Sequence, residues 1–165
     1  MNHRRFIVLG LTATVAAALL PLRRGGGATT AQAADTYEVS HTPQEWHKIL
    51  SSQQYYVLRE AGTEIAFTSP LNHEKRQGRF ACAGCDLPLF SSDTKFDSHT
   101  GWPSFWKPLD KAVVSTRDDS LGMARTEVLC RRCGGHLGHV FDDGPPPTGL
   151  RYCMNGVALN FKPAA

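Results

Sequence analysis

The sequence predicts a mainly β domain with two short helices at its front, and three observations carry that expectation. The helical pattern of apolar residues stops near Gly62. Beyond it, short runs rich in Val, Phe and Thr are broken by Gly, Pro and Asp, as in a chain of strands and tight turns. Two C-x-x-C pairs then bracket 44 residues of this strand-like region, which points to a fold clamped through its cysteines. The 165 residues suffice for one domain of ordinary size.

The first 33 residues read as an export signal and not as part of that domain. Arg4-Arg5-Phe6 resembles a twin-arginine start. An uncharged apolar run from Ile7 to Leu22 follows, and Ala31-Gln32-Ala33 fits a small-residue cleavage site. The run is about 16 residues, short of the roughly 20 that a bilayer span needs. Arg23 and Arg24 behind it disfavour export of an unfolded chain. An uncleaved amphipathic anchor is the competing reading. The expected location is therefore the periplasm. The net charge of +3 falls to −1 once the four arginines of this segment are set aside. No basic stripe interleaved with aromatics remains, so nothing supports a nucleic-acid partner.

Residues 34–40 form a linker and 41–162 the domain, with 163–165 as a tail. Thr42-Pro43-Gln44-Glu45 combines a capping Thr, Pro at the first helical position and a Glu that can reach back to the cap. That helix extends to about Leu50. Ser52 is the expected cap of a second helix, stopped at Ala61-Gly62 by the glycine. Strands are expected over 79–82, 89–91, 112–117, 123–129, 137–141, 150–154 and 157–161, with a hairpin turn at 117–122. Gly144-Pro145-Pro146-Pro147 forbids regular structure and makes a stiff loop.

Four of the five cysteines form the knuckles Cys82-Ala83-Gly84-Cys85 and Cys130-Arg131-Arg132-Cys133. Four thiolates complete a tetrahedral structural zinc site, the favoured reading. Disulfides in an oxidising compartment, a redox C-x-x-C and unrelated reduced pairs are the competitors. Cys153 is left over. If Arg151-Tyr152-Cys153-Met154-Asn155 is a strand, Arg151, Cys153 and Asn155 share a face. A guanidinium beside the thiol favours the nucleophilic thiolate, and an amide can orient a polar substrate group. A buried inert thiol is the plain alternative. His136, His139, Asp142 and Asp143 follow the second knuckle and can supply acid–base chemistry. The Glu of an H-E-x-x-H motif is absent, which argues against a zinc hydrolase.

Together, CAGC (82–85), FDSHTGWPSF (96–105), CRRCGGHLGHVFDDG (130–144) and RYCMNGVALNF (151–161) resemble the methionine sulfoxide reductase B family. Their order and separations match, and the resemblance covers nearly all of 41–162. It implies antiparallel sheets forming a barrel-like core with peripheral helices. It also implies reduction of methionine (R)-sulfoxide in proteins, an oxidoreductase activity of protein repair after oxidative damage. By position, Cys153 matches the nucleophile. His136 and His139 match the acid and binding groups, with Asp143 orienting the imidazole. Arg151 supports the thiolate, Asn155 meets the sulfoxide, and Trp102 is the wall for the substrate methyl group. One structural zinc is held by Cys82, Cys85, Cys130 and Cys133. Many relatives carry a recycling cysteine where this chain has Thr100, and His99 departs from the usual Gly. The expectation is a single-cysteine enzyme whose sulfenic acid is reduced by an external thiol, small or thioredoxin-like. It would act as a monomer on oxidised proteins, with no stable membrane association after cleavage. A non-catalytic zinc-ribbon-like binding module and a C-x-x-C thiol–disulfide oxidoreductase are the rivals.

Overall fold

The computed structural model describes residues 37–165. The export signal expected over residues 1–33 lies outside the described residues. No helix among the described residues is long and apolar enough to cross a membrane.

Two helices open the domain, and both start from a reciprocal cap. In α1 (Pro43–Ile49) the Thr42 hydroxyl accepts the Glu45 N–H at 3.3 Å while the Glu45 carboxylate accepts the Thr42 N–H at 2.8 Å. In α2 (Ser52–Glu60) the cap is Ser51 and not the expected Ser52, because Gln54 stands three residues after Ser51 and closes the box. The stop also differs from expectation. Ala61 itself takes the left-handed conformation, φ 52°. Gly62 is needed for a different reason: a Cβ there would lie 2.3 Å from the Tyr56 ring. Trp46, Val57 and Leu58 point into the core.

Nine strands follow among the described residues: β1 (Gly78–Cys82), β2 (Pro88–Ser91), β3 (Lys95–Phe96), β4 (Ser104–Phe105), β5 (Val113–Asp118), β6 (Arg125–Cys130), β7 (His136–Phe141), β8 (Arg151–Met154) and β9 (Leu159–Pro163). All pairings are antiparallel. They make a three-stranded sheet, β2-β1-β9, and a six-stranded sheet, β3-β4-β8-β7-β6-β5. The mainly β, antiparallel architecture is thus as expected, with two open sheets and no closed barrel. The expected hairpin joins β5 to β6. Residues 156–158 form a 3-10 turn, so the last strand begins at Leu159 and not at Val157. The two-residue strands β3 and β4 were not expected: the stretch that holds them reads as a loop, and only pairing with neighbours makes them strands.

The core lies where the two sheets meet the helices. Phe105 of β4 stacks on Phe90 at 4.3 Å and meets the edge of Phe80 at 4.9 Å, offset and edge-on arrangements that aromatic quadrupoles favour. Leu89, Leu137, Met154 and Val128 close around them, all fully buried. Because Phe105 adjoins Ser104, whose side chain points to the opposite face, this aromatic cluster also holds the short strand β4 against β8. Phe105→Ala is expected to cost about 3–5 kcal/mol, read as a lower urea midpoint at unchanged slope.

Candidate active site

The two cysteine knuckles fold identically. In each, the N–H four residues after the first cysteine returns to that cysteine's carbonyl (Asp86 to Cys82, Gly134 to Cys130, both 2.8 Å). The first cysteine's own N–H reaches the carbonyl five residues on, Leu87 or Gly135. Asp86 and Gly134, with φ of 62° and 66°, turn the chain at the same point of each loop. The four sulfurs lie within 4.8 Å of one another, with Cys82–Cys133 at 3.7 Å and Cys85–Cys130 at 3.5 Å. Tetrahedral thiolates at the zinc–sulfur distance stand about 3.8 Å apart. Donor type, number and spacing therefore fit one metal ion. The cluster ends β6 at Cys130 and leaves two residues between Cys133 and His136, so it positions both strands.

Strand register assembles the remaining residues. β8 lies between β4 and β7, and Cys153 is directly opposite Ser104 on one side and His139 on the other. Opposed residues share a sheet face, so Ser104, Cys153 and His139 form one row, which Glu127 of β6 continues opposite His139. Gly138 allows this close approach: with φ 153°, a Cβ there would stand 2.2 Å from the Cys153 carbonyl oxygen.

Each of the two imidazoles of β7 is held by a carboxylate. His136 Nδ1 is 2.6 Å from Glu127 Oε1, and His139 Nε2 is 2.8 Å from Asp118 Oδ2, which also takes Arg125 at 2.6 Å. Hydrogen bonds, first from Ser120 and then from His139, hold the Asp118 carboxyl well below the usual carboxylate range. It is therefore ionised and can only accept, which assigns the His139 proton to Nε2 and leaves Nδ1 with a free lone pair. Burial pushes His139 below its ordinary value, partly offset by the Asp118 bond. The expected orienting role of Asp143 is corrected here. Both its oxygens take the Arg151 guanidinium, each at 2.8 Å, because strand alternation and the loop after Phe141 bring it to β8 and not to either ring. Arg151 lies 4.4 Å over the Phe141 ring, and its charged form is favoured first by Asp143 and further by Cys153.

Asn155 also differs from expectation. β8 ends at Met154, and the Asn155 amide is committed to main chain: Oδ1 accepts the Glu64 N–H at 2.8 Å and Nδ2 donates to Leu137 O at 3.1 Å. These two bonds fix the amide in the pocket wall, and Nδ2 keeps a second hydrogen. Glu64, which sequence reasoning passed over, joins three segments. Its carbonyl accepts Trp102 Nε1 at 3.0 Å and its carboxylate accepts the N–H groups of Gly156 and Val157. No local pattern announces such a residue, since all its partners are distant in sequence. Asp118 and Glu127 reach their imidazoles, 21 and 9 residues away, only through the pairing of β5, β6 and β7.

Trp102, His139, Phe141, Cys153 and Asn155, with Thr63, Gly138 and Arg125, line a pocket of roughly 120 Å³, the room of about four waters. Cys153 is half-buried at its base. Thr100 faces the thiol: its Oγ1 is 3.7 Å from Cys153 Sγ and 2.8 Å from Ser98, which reaches Ser104 at 2.7 Å. His99 takes φ 59°, and Gly101 takes φ 94°, turning the chain so that Thr100 points inward. A left-handed position that glycine fills most easily is thus held by a histidine, whose N–H is anchored by Asp97 at 2.9 Å.

A family model described as the SelR domain matches residues 50–163. Among curated proteins, a peptide methionine sulfoxide reductase MsrB of Pseudomonas putida (strain W619) is 58% identical over 127 residues, covering 76% of this chain and 96% of that protein. The protein of the same name from Leptospira interrogans is 54% identical, covering 76% and 97%. One from Methanosarcina barkeri is 54% identical over 125 residues, covering 75% and 88%.

The thiol cluster leads to a direct test. Mass spectrometry of the native protein is expected to find one divalent ion per chain. Cys130→Ser should lose that ion and unfold at a lower temperature, because binding energy at such a site is folding energy.

Proposed function

The chain belongs to the SelR-domain family of peptide methionine sulfoxide reductases and is an oxidoreductase acting on methionine sulfoxide; we propose that it does so through Cys153 as a single recycled nucleophile. The observation that carries this reading is the pairing of Cys153 with His139 across two strands, both lining a small pocket walled by Trp102. The substrate is the R epimer within proteins. Its methyl group packs on the Trp102 ring, a favourable sulfur–aromatic contact, while its oxygen turns to the histidines. The other epimer cannot satisfy both contacts at once.

Chemically, His139 Nδ1 accepts the Cys153 proton, and Arg151 stabilises the thiolate. The thiolate attacks the sulfoxide sulfur as His139 returns the proton to the oxygen. His136, held by Glu127, adds a second polar group beside it. Oxygen passes to Cys153, which becomes a sulfenic acid, and the methionine sulfur gains two electrons. Two equivalents of an external thiol then restore Cys153, releasing water and a disulfide. Thr100 stands where many relatives carry a recycling cysteine, and the other four thiols are absorbed by the metal site. That site is proposed to hold one zinc ion as a clamp on β6 and β7, with no part in the bond changes. Residues 1–33 support export to an oxidising compartment as part of the same proposal.

Turnover of the separated epimers with dithiothreitol tests the central reading. Activity is expected on R alone; activity confined to S, or absent, rules it out. After one turnover without reductant, dimedone should label Cys153, and a disulfide to a knuckle cysteine would contradict the recycling scheme. A pH profile tests the histidine. His139 titrates below its ordinary value, so kcat/KM should fall only as the pH drops below about 6.5. Asp118→Asn removes the bond that raises His139, so the acid limb moves lower still. It should also cut kcat about 10²-fold, since Nδ1 is no longer held as the acceptor.

A further inference from the structure

The pocket around Cys153 ends at Thr63, and a second hollow begins there. It has a volume of roughly 890 Å³, against roughly 120 Å³ for the pocket itself. Thr63 is exposed and lines both. Glu64 lines the hollow, Asn155 lines the pocket, and the Glu64 N–H donates to Asn155 Oδ1 at 2.8 Å, which links the two. One wall of the hollow is α2, through Gln53 and Tyr56; the other is the segment after Gly62, through Ile65 and Leu71. Its floor is β9.

Three features say what lies there. First, the lining is almost free of charge. Glu64 is its one charged residue, and that carboxylate already accepts the N–H groups of Gly156 and Val157. Second, the apolar side chains are displayed outward: Ile65 is 78% exposed and Tyr56 51%. Third, the consecutive residues Leu159, Asn160 and Phe161 all line the hollow. Successive side chains of a strand point to opposite faces, so three in a row meet the hollow along the strand's edge. β9 is the outer strand of its sheet, and such an edge offers unpaired main-chain groups to an extended chain. A hollow beyond Trp102 is a poorer candidate: it holds roughly 160 Å³ and is lined by Lys95, Asp97, His73 and His99.

We propose that this groove receives the extended, uncharged segment of the substrate polypeptide next to the methionine sulfoxide, the chain crossing Thr63 so that the sulfoxide enters the pocket of Cys153. This rests on the reading of that pocket as the reductase site. The pocket holds about one side chain, so the substrate main chain must leave it, and the groove is the continuous, almost uncharged surface beside the exit. The preferred substrates are then oxidised methionines flanked by apolar residues.

The test compares N-acetyl methionine sulfoxide amide with pentapeptides carrying a central methionine sulfoxide between Leu and Val, or between Asp and Glu. With the native chain, kcat/KM for the apolar peptide should exceed that for the acidic one by about tenfold or more, the worth of one buried aliphatic side chain. Ile65→Glu and Gln53→Glu, both at exposed positions on opposite walls, should each lower kcat/KM for the apolar peptide through KM. Neither should alter turnover of the amide. If the amide is reduced and the peptides are indifferent to flanks and to both variants, the groove assignment falls while the reductase reading stands. If no sulfoxide substrate is reduced at all, both fall together.

Discussion

The site depends on the register of β8 between β4 and β7. Because side chains alternate with a period of two, a slip of one residue would turn Cys153 into the core and bring Met154 to the surface. Three anchors oppose that slip. Phe105, locked in the stack with Phe90 and Phe80, fixes β4. The N–H of Met154 donates to Pro103 O at 2.9 Å and that of Asn155 to Leu137 O at 2.8 Å, which ties the C-terminal end of the short strand to the segments on either side of it. Gly138 removes the side chain that would force β7 and β8 apart. Aromatic packing, main-chain hydrogen bonds and one glycine thus settle together the position of the polar row.

The thiol cluster acts on the same row from the other side. Cys130 closes β6 three residues after Glu127, and Cys133 precedes β7 by three. A metal ion on these sulfurs would fix the β6–β7 hairpin at its turn, next to the register shift that interrupts the ladder between Val128 and Leu129. Both carboxylate–imidazole pairs lie on that hairpin and its neighbour β5. Metal and chemistry are therefore linked through strand geometry, with no contact between them.

The residues that surround the row were legible to different degrees. Cys153, His136, His139 and Trp102 are distinctive types in short, ordered motifs. Asp118, Arg125 and Glu127 are ordinary charged residues on an exposed-looking hairpin, and their role depends on pairing across strands. The resemblance implies that Asp143 orients an imidazole, yet the loop between β7 and β8 carries it to Arg151. Asn155 is distinctive as an amide beside the thiol, but its bonds to the main chain of Glu64 and Leu137 come from segments far away in sequence.

By itself the sequence determined the local features: the two capped helices, the hairpin from β5 to β6, the paired cysteine knuckles and the identity of the lone thiol. Each rests on contacts within a few residues, or on a residue type with one strong chemical preference. Tertiary structure alone decided β3 and β4, the strut at Glu64, the partners of the two histidines and the groove beyond Thr63. Those features come from segments tens of residues apart, and a two-residue strand has no hydrogen-bonding identity until its neighbour arrives.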